Sequence, residues 1–259
     1  MAKQKIHRTA IVASTAKLAE GVQIGPYCII GKGVKIGKNT RLMSHVVIEE
    51  TDIGSDCVVY PFTTIGVPPQ DIEYKGEKTK VKIGNRNTIR EYITIHRASV
   101  RGDKVTEIGN DNFLMAYVHI AHDCKIGNAV TIANAAMLAG HVSVEDYSII
   151  GGLVAVHQFT RIGAYAMVGG FSGVGQDIPP YMTASGSRAK LYGLNTVGLK
   201  RRGFSDSLIK DLKCAYKNLF RSKLTLKEAI NKVKRETKKS REIDHLIHFL
   251  KQNKRGICR

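Results

Sequence analysis

From Ile108 to Val174 an aliphatic residue stands at every sixth position: Ile108, Leu114, Ile120, Ile126, Ile132, Leu138, Val144, Ile150, Val156, Ile162, Val168 and Val174. A period of six matches neither an amphipathic helix, at ~3.6 residues, nor a strand, at ~2. The chain must therefore turn a corner every six residues, which makes a solenoid. The same beat runs through Ile6, Val12, Leu18, Ile24, Ile30, Ile36, Leu42 and Ile48, slips by one residue to Ile53, Val59 and Ile65, and returns at Ile83, Ile89 and Ile95.

Glycine often follows the aliphatic residue, as at Gly25, Gly54, Gly84, Gly109 and Gly151. That choice suits a corner needing unusual backbone angles or close approach of two chains. The fifth position is small or β-branched and includes Cys28, Cys57 and Cys124, which are expected to point inward. The pattern resembles the hexapeptide-repeat transferases, which implies coils of three short parallel strands wound into a left-handed β-helix. The left hand rests on the resemblance, because parallel crossovers are otherwise almost always right-handed. Three hexads make one eighteen-residue coil, and coils stack at roughly 4.8 Å, so residues eighteen apart share a vertical column.

The repeat stops at Ile178-Pro179-Pro180-Tyr181, where two prolines end strand pairing. Helical periodicity follows: Leu208, Ile209, Leu212, Tyr216, Leu219 and Phe220 behind a Ser205 cap, Ala229, Ile230 and Val233 behind a Thr225–Glu228 capping box, and Ile243, Leu246, Ile247 and Leu250. The fold class expected is mainly β, a left-handed parallel β-helix over residues 1–180 followed by a small basic α-helical domain over 181–259. Two stretches, 67–82 and 97–107, interrupt the repeat. Insertions in a solenoid project from one face, often the binding face, though they can equally be tolerated decoration.

An apolar content of 43% with 24% charged residues is that of a soluble globular protein. No run reaches the ~18 apolar residues that span a bilayer, and MAKQKIHRTA lacks a signal-peptide core. Five cysteines with no CxxC pair fit a reduced, cytoplasmic setting. Of the net charge of +18, the segment from Ser187 onward carries +15, from 21 Lys and Arg against 6 Asp and Glu. Such an end attracts an acidic partner; the bland alternative is a solvated helical surface. Nucleic acid is not expected, since Trp and aromatic stacking motifs are lacking. The flat, partly apolar walls of a three-sided prism also call for cover, of which self-association is one form.

Between positions 119 and 157 the repeat carries His119, His122, His141 and His157. Eighteen-residue spacing puts His122, Gly140 and Gln158 in one column, with Asp123, His141 and Phe159 on one side and Ala121, Ala139 and His157 on the other. A neutral imidazole at His122 can take a proton from an attacking hydroxyl. Gly140, one coil away, can offer its N–H to an oxyanion where a side chain would obstruct. Asp123 can orient the ring only if a corner overrides the alternation of neighbouring side chains. A zinc site and purely structural histidines are the competing readings, and no metal ligand set is assigned.

The stretches HIAHDC (119–124), LAGHVSV (138–144), IIGG (149–152), AVHQF (155–159), QDIPPY (176–181) and GLKRRGFS (198–205) resemble the UDP-N-acetylglucosamine O-acyltransferases of lipid A biosynthesis. The resemblance spans essentially the whole chain. It implies transfer of a 3-hydroxyacyl group from acyl carrier protein to the 3-hydroxyl of UDP-N-acetylglucosamine, without a cofactor, at sites between subunits of a homotrimer. It further implies that His122 is the general base, Asp123 its orienting neighbour and Gly140 the oxyanion donor. His119, His141, His157 and Gln158 would line the substrate site, Gln70 and Asp71 would meet the sugar, and Asn195, Arg201 and Arg202 would hold the nucleotide. Gly170 matches the position that limits acyl length, and glycine there leaves room for a longer chain.

Two positions depart from the family pattern: Glu73 stands where Lys is usual, and Val197 where an acidic residue is usual. Lys75, two residues on, can restore the positive charge from the same side of an extended loop. The alternatives are the related N-acyltransferase of the same pathway, a zinc-binding hexapeptide hydratase, and a non-enzymatic β-helix scaffold. The repeat beginning at Ile6, with no preceding nucleotide-binding domain, speaks against the first, and the lack of threonine ladders against an ice-binding scaffold.

Overall fold

The computed structural model describes residues 3–253 and 255–259. The chain is mainly β: a left-handed parallel β-helix of hexapeptide repeats with three walls, followed by a small helical part. The first wall runs from Lys5–Ile6 to Met167–Val168, the second from Ile11–Val12 to Gly173–Val174, and the third from Lys17–Leu18 to Arg161–Ile162. Most strands are two residues long, one facing out and the aliphatic facing in. Ile30, Ile48, Ile65, Ile95, Ile120 and Leu138 are fully buried, so the core is a stack of aliphatic rungs. Cys28, Cys57 and Cys124 are fully buried beside them.

The glycines serve close packing rather than unusual dihedrals. Among those that follow the aliphatic residue, only Gly66 has a positive φ. At Gly84 a Cβ would lie 2.5 Å from Asn110 Oδ1 and 2.6 Å from the Gly109 carbonyl on the next coil. The left-handed backbone falls instead on the third residue after the aliphatic, where Tyr27, His45, Phe62, Asp111, Asp123, His141 and Tyr165 have φ of 57–61°. The expectation of unusual angles at glycine is thus corrected: hydrogen bonds from coil to coil hold non-glycine residues in that region, at roughly 1–2 kcal/mol each.

Each corner stacks these residues differently. At the first corner, between the first and second walls, Tyr27, His45, Phe62, Tyr92 and Tyr117 form a ladder of rings 4.9–5.1 Å apart, and all of the Tyr and Phe members are exposed. The second corner, between the second and third walls, carries Asp123, His141 and Phe159. Both insertions also leave the helix there, between Val67 and Lys80 and between His96 and Val105. The third corner carries Asp111, Ala129, Tyr147, Tyr165 and Tyr181.

The repeat does not give way directly to helices at 181. Met182–Ser185 rejoins the first wall, parallel to Met167–Val168, and folds back as an antiparallel strand, Lys190–Leu194. The prolines interrupt one coil, but buried Met182 and Ala184 keep the alternation of a strand and continue the core. The helices are α1 (Thr196–Arg201), α2 (Asp206–Phe220), α3 (Leu226–Glu236) and α4 (Arg241–Lys251). Ser205 caps α2, a complete capping box opens α3, and Ser240 caps α4. No helix among the described residues is long and apolar enough to cross a membrane.

The glycine assignment is testable by contrast. Gly84→Ala is expected to cost roughly 1–3 kcal/mol through overpacking, whereas Gly175→Ala, whose Cβ would meet nothing within 4 Å, is expected to be near neutral. Denaturant midpoints of the two variants decide; equal losses would restore the conformational explanation.

Candidate active site

His122 and Asp123 are consecutive, yet their side chains meet, because Asp123 takes φ 60° at the second corner. The corner supplies what a flat strand would deny. His122 Nδ1 donates to Asp123 Oδ2 at 2.8 Å. With the proton committed there, Nε2 carries the lone pair that a base needs. Asp123 Oδ2 also accepts from the Ser99 N–H at 2.9 Å and the Ser99 hydroxyl at 2.8 Å, and the Asp123 N–H donates to Thr106 Oγ1 at 2.9 Å. Burial pushes the Asp123 carboxyl up, but the bonds from His122 and Ser99 outweigh it, so the net shift is downward and the group stays ionised.

Gly140 lies directly against His122. A Cβ at Gly140 would stand 2.5 Å from His122 Cε1 and 2.7 Å from Nε2. The His141 N–H donates to the His122 carbonyl at 3.0 Å, which fixes the two coils in register. The Gly140 N–H has no acceptor among the described residues. That freedom is shared with other corner positions; what is particular to Gly140 is the missing side chain beside the imidazole. The His141 ring stands perpendicular to His122 at 5.3 Å and stacks on Phe159 at 4.5 Å.

Further up the second wall, His119 Nδ1 is 2.7 Å from Thr94 Oγ1, and the His119 ring meets His96 edge-on at 5.1 Å. His96 was not singled out by the sequence, although it occupies the strand pairing with Val67. It is buried, and burial, helped by His119 and His122, pulls its pKa down to about 4. Burial likewise lowers His119 and His141. Burial therefore favours the neutral form of His96, His119 and His141 beside the one carboxylate.

The insertions contribute directly. Ser99 and Gly102 of the second lie against Asp123, the backbone of Gly102 leaving only 2.6 Å between an added Cβ and Asp123 Oδ1. In the first, Asp71 Oδ1 accepts from the Glu73 N–H at 3.0 Å, and its charge reaches His141. Gln70 beside it is exposed. Glu73 pairs with Arg101 of the second insertion, and Arg101 also acts on His141. Positive charge above the site thus comes from Arg101, reaching across from the other loop. Lys75 engages the loop through its own N–H, which donates to Glu77 Oε2 at 2.8 Å.

The remaining candidates divide between corners. His157 and Gln158 are exposed on the same edge as His122, two coils on. Gly170 sits beside Phe171 at the first corner, its Cβ position 3.2 Å from the Gly152 carbonyl. Asn195, Arg201 and Arg202 belong to the third corner: Asn195 Oδ1 caps α1 at Gly198 N, its Nδ2 donates to the Tyr165 carbonyl at 3.0 Å, and Arg202 lies over the Tyr147 ring at 4.9 Å. Val197 is exposed within α1. One chain therefore gathers His122, Asp123 and the other histidines, and holds the expected nucleotide residues on a different edge.

His122, Asp123 and His141 bring potential metal-ligand atoms within 4.8 Å of one another. Asp123 Oδ2 already accepts three bonds, from His122, Ser99 N–H and Ser99 Oγ, whereas its Oδ1 has no hydrogen-bond partner among the described residues.

Because His96 binds its proton at about 4 when folded and near ~6.5 when unfolded, the unfolded chain protonates first as pH falls. Stability is expected to drop by about 3 kcal/mol between pH ~6.5 and ~4, and protonation of Asp123 extends the loss below that window. Urea midpoints measured across this range check it, and His96→Phe should flatten the slope.

A family profile described as UDP-N-acetylglucosamine O-acyltransferase, domain 2, matches residues 177–258, and the bacterial transferase hexapeptide profile matches 15–50 and 106–140. The acyl-(acyl-carrier-protein) UDP-N-acetylglucosamine O-acyltransferase of Thermodesulfovibrio yellowstonii is 70% identical over 98% of this chain and 99% of its own length. The enzyme of that name from Syntrophobacter fumaroxidans is 51% identical over 98% and 100%. The solved UDP-N-acetylglucosamine O-acyltransferase of Moraxella catarrhalis superposes with a TM-score of 0.94 at 45% identity, covering 98% of this chain and 99% of that one. A β-helix with a histidine, a carboxylate and a glycine at one corner, and this degree of identity from end to end, lead to one conclusion: the chain belongs to the UDP-N-acetylglucosamine O-acyltransferase family.

Proposed function

We propose that this protein transfers a 3-hydroxyacyl group from acyl carrier protein to the 3-hydroxyl of UDP-N-acetylglucosamine, the first step of lipid A biosynthesis. The observation that carries the reading is the His122 ring held between Asp123 Oδ2, at 2.8 Å, and the open backbone of Gly140. His122 Nε2 takes the proton from the sugar hydroxyl as its oxygen attacks the thioester carbonyl. The negative charge that builds on the carbonyl oxygen is received by the Gly140 N–H. Asp123 steadies the imidazolium, which returns the proton to the departing thiolate of the carrier arm. Atoms and charge balance without a cofactor.

Homotrimeric assembly completes the site in this reading. The first corner is an exposed aromatic ridge, and the outward faces beside it carry Ile11, Ile29, Phe113, Met137 and Ile149. The third wall instead points Lys17, Lys35, Lys82 and Lys125 outward. With the ridge on a threefold axis, the second wall of one copy faces the first wall of the next. The His122 corner of one copy then approaches the corner bearing Asn195, Arg201 and Arg202 of its neighbour. Two arginines suit a pyrophosphate. Gly170, on the apolar side, leaves space for a long acyl chain. The basic helical end offers acidic acyl carrier protein a complementary surface, and the free cysteines suit a cytoplasmic location.

Incubating the protein with UDP-N-acetylglucosamine and 3-hydroxyacyl carrier proteins of several lengths tests the reaction; no acylated sugar nucleotide with any of them would refute it. His122→Ala is expected to lower kcat by roughly 10²–10⁴ with the oligomer intact by light scattering. Shared sites make a second prediction. His122→Ala chains and Arg201→Ala/Arg202→Ala chains, each inactive alone, are expected to recover roughly a quarter of wild-type turnover when assembled together at random, because each mixed trimer regains one intact site of three. No recovery on mixing would place both sets of residues in one chain's site or in none.

A further inference from the structure

His157 Nδ1 lies within reach of two partners that make opposite demands on it. The Gln158 carbonyl, 3.1 Å away, can only accept, so that bond needs a proton on Nδ1. The Arg255 guanidinium, with Nη2 at 2.9 Å, can only donate, so that bond needs a lone pair on Nδ1. One neutral imidazole cannot satisfy both. The guanidinium bond is shorter and charge-assisted, and charge-assisted bonds are roughly twice as strong as neutral ones.

Arg255 is brought to this point by the C-terminal tail. The Asp177 N–H donates to the Gly256 carbonyl and the Cys258 N–H to the Asp177 carbonyl, both at 2.9 Å, which makes Ile257 a parallel bridge partner of Asp177. Cys258 is buried, with its thiol 3.0 Å from the Ala189 carbonyl. Gly256 turns the chain at φ 81°, and its N–H donates to Asn253 Oδ1 at 2.6 Å. Asp177 is itself buried and tied to the Arg161 side chain at 2.8 Å. The tail is thus fastened to the end of the β-helix immediately after Arg255.

We propose that Arg255 is a positioning residue that selects the tautomer of His157, holding Nδ1 as an acceptor so that Nε2 carries the proton. His157 then presents an N–H donor, not a lone pair, to the cavity lined by Ala155, Gly173, Gly175, Gln176 and Arg188. A donor there recognises an oxygen acceptor, a carbonyl or hydroxyl oxygen of the acyl donor. His122 shows the opposite arrangement, with the proton on Nδ1 and Nε2 open. The two histidines, two coils apart on one edge, are set by their neighbours as donor and base. What His157 faces rests on the proposed acyl transfer; its tautomer does not.

The test reads the tautomer directly. Long-range ¹H–¹⁵N correlation on histidine-labelled protein, with His157 assigned by the loss of its signals in His157→Gln, should show Nε2 protonated and Nδ1 bare in the resting enzyme. Arg255→Met should shift the population toward the Nδ1–H form bonded to Gln158, and Arg255→Lys, which keeps a cationic donor, should retain the Nε2–H form. In turnover, Arg255→Met should lower kcat/KM for the acyl donor roughly ten-fold with little change in KM for the sugar nucleotide, and Arg255→Lys should recover most of it. Wild-type protein with Nδ1 protonated, or Arg255→Met with the tautomer unmoved, overturns the proposal. If Arg255→Met does not fold, the wild-type and Arg255→Lys spectra decide. Wild type that transfers no acyl group removes the catalytic reading, while the tautomer assignment still stands or falls on the spectra.

Discussion

Parallel pairing of successive coils is the constraint on which every other feature depends. Ile120 stands opposite Leu138, and Leu138 opposite Val156, because backbone bonds from one rung to the next admit one alignment. A slip of a single residue would exchange inward for outward side chains along the whole strand. The buried aliphatic rungs forbid this. Closeness follows from the same bonds, and it explains why an added Cβ at Gly84 or Gly140 would collide with the next coil. The meeting of His122 with Gly140 is therefore a consequence of register accumulated over the solenoid, and no local motif produces it.

The corners show how one backbone solution supports different chemistry. Each holds residues with φ near 60°, a conformation that costs energy outside glycine. At the third corner Asn85, Asn110 and Asn128 each pass a backbone N–H to the side-chain oxygen of the following coil, ending at Asp146. At the first corner stacked rings take that place. At the second the stack is Asp123, His141 and Phe159, and the strained turn that aims Asp123 back at His122 is the one used everywhere else. The arrangement of His122, Asp123 and Gly140 stands on a repeated structural element and requires no special backbone.

The beat of aliphatic residues makes the walls, the core and the columns legible, since a period of six admits little else. It also yields the His122, Gly140 and Gln158 column, while polar residues ahead of apolar stripes reveal the caps of α2 and α3. Other features depend on contacts that no periodicity encodes. Ser99 and Gly102 lie in a stretch equally readable as decoration, and their hold on Asp123 arises from a loop folding back across 24 and 21 positions, 123 − 99 and 123 − 102. His96 escaped notice because a strand position beside an aliphatic residue reads as packing. Arg101 meets Glu73 across two insertions, so a charge absent from one loop is supplied by another. Met182–Ser185 hides behind two prolines that mark an interruption of the coil and not its end.

In the proposed mechanism, division of the site between corners links assembly to chemistry. The residues proposed to move a proton lie on one edge of the prism, and the arginines suited to a pyrophosphate lie on another, with a wall between them. Under the proposed mechanism a single copy has a base without a holder for its substrate. The exposed aromatic ridge, a liability for a lone chain, lies at the corner between the two walls that would face each other in an assembly. In the proposed trimer, covering that ridge and completing the site are one event. A chain that had not found its partners would expose apolar rings yet lack a full site, so an unassembled copy would be marked by its surface and inactive by its geometry.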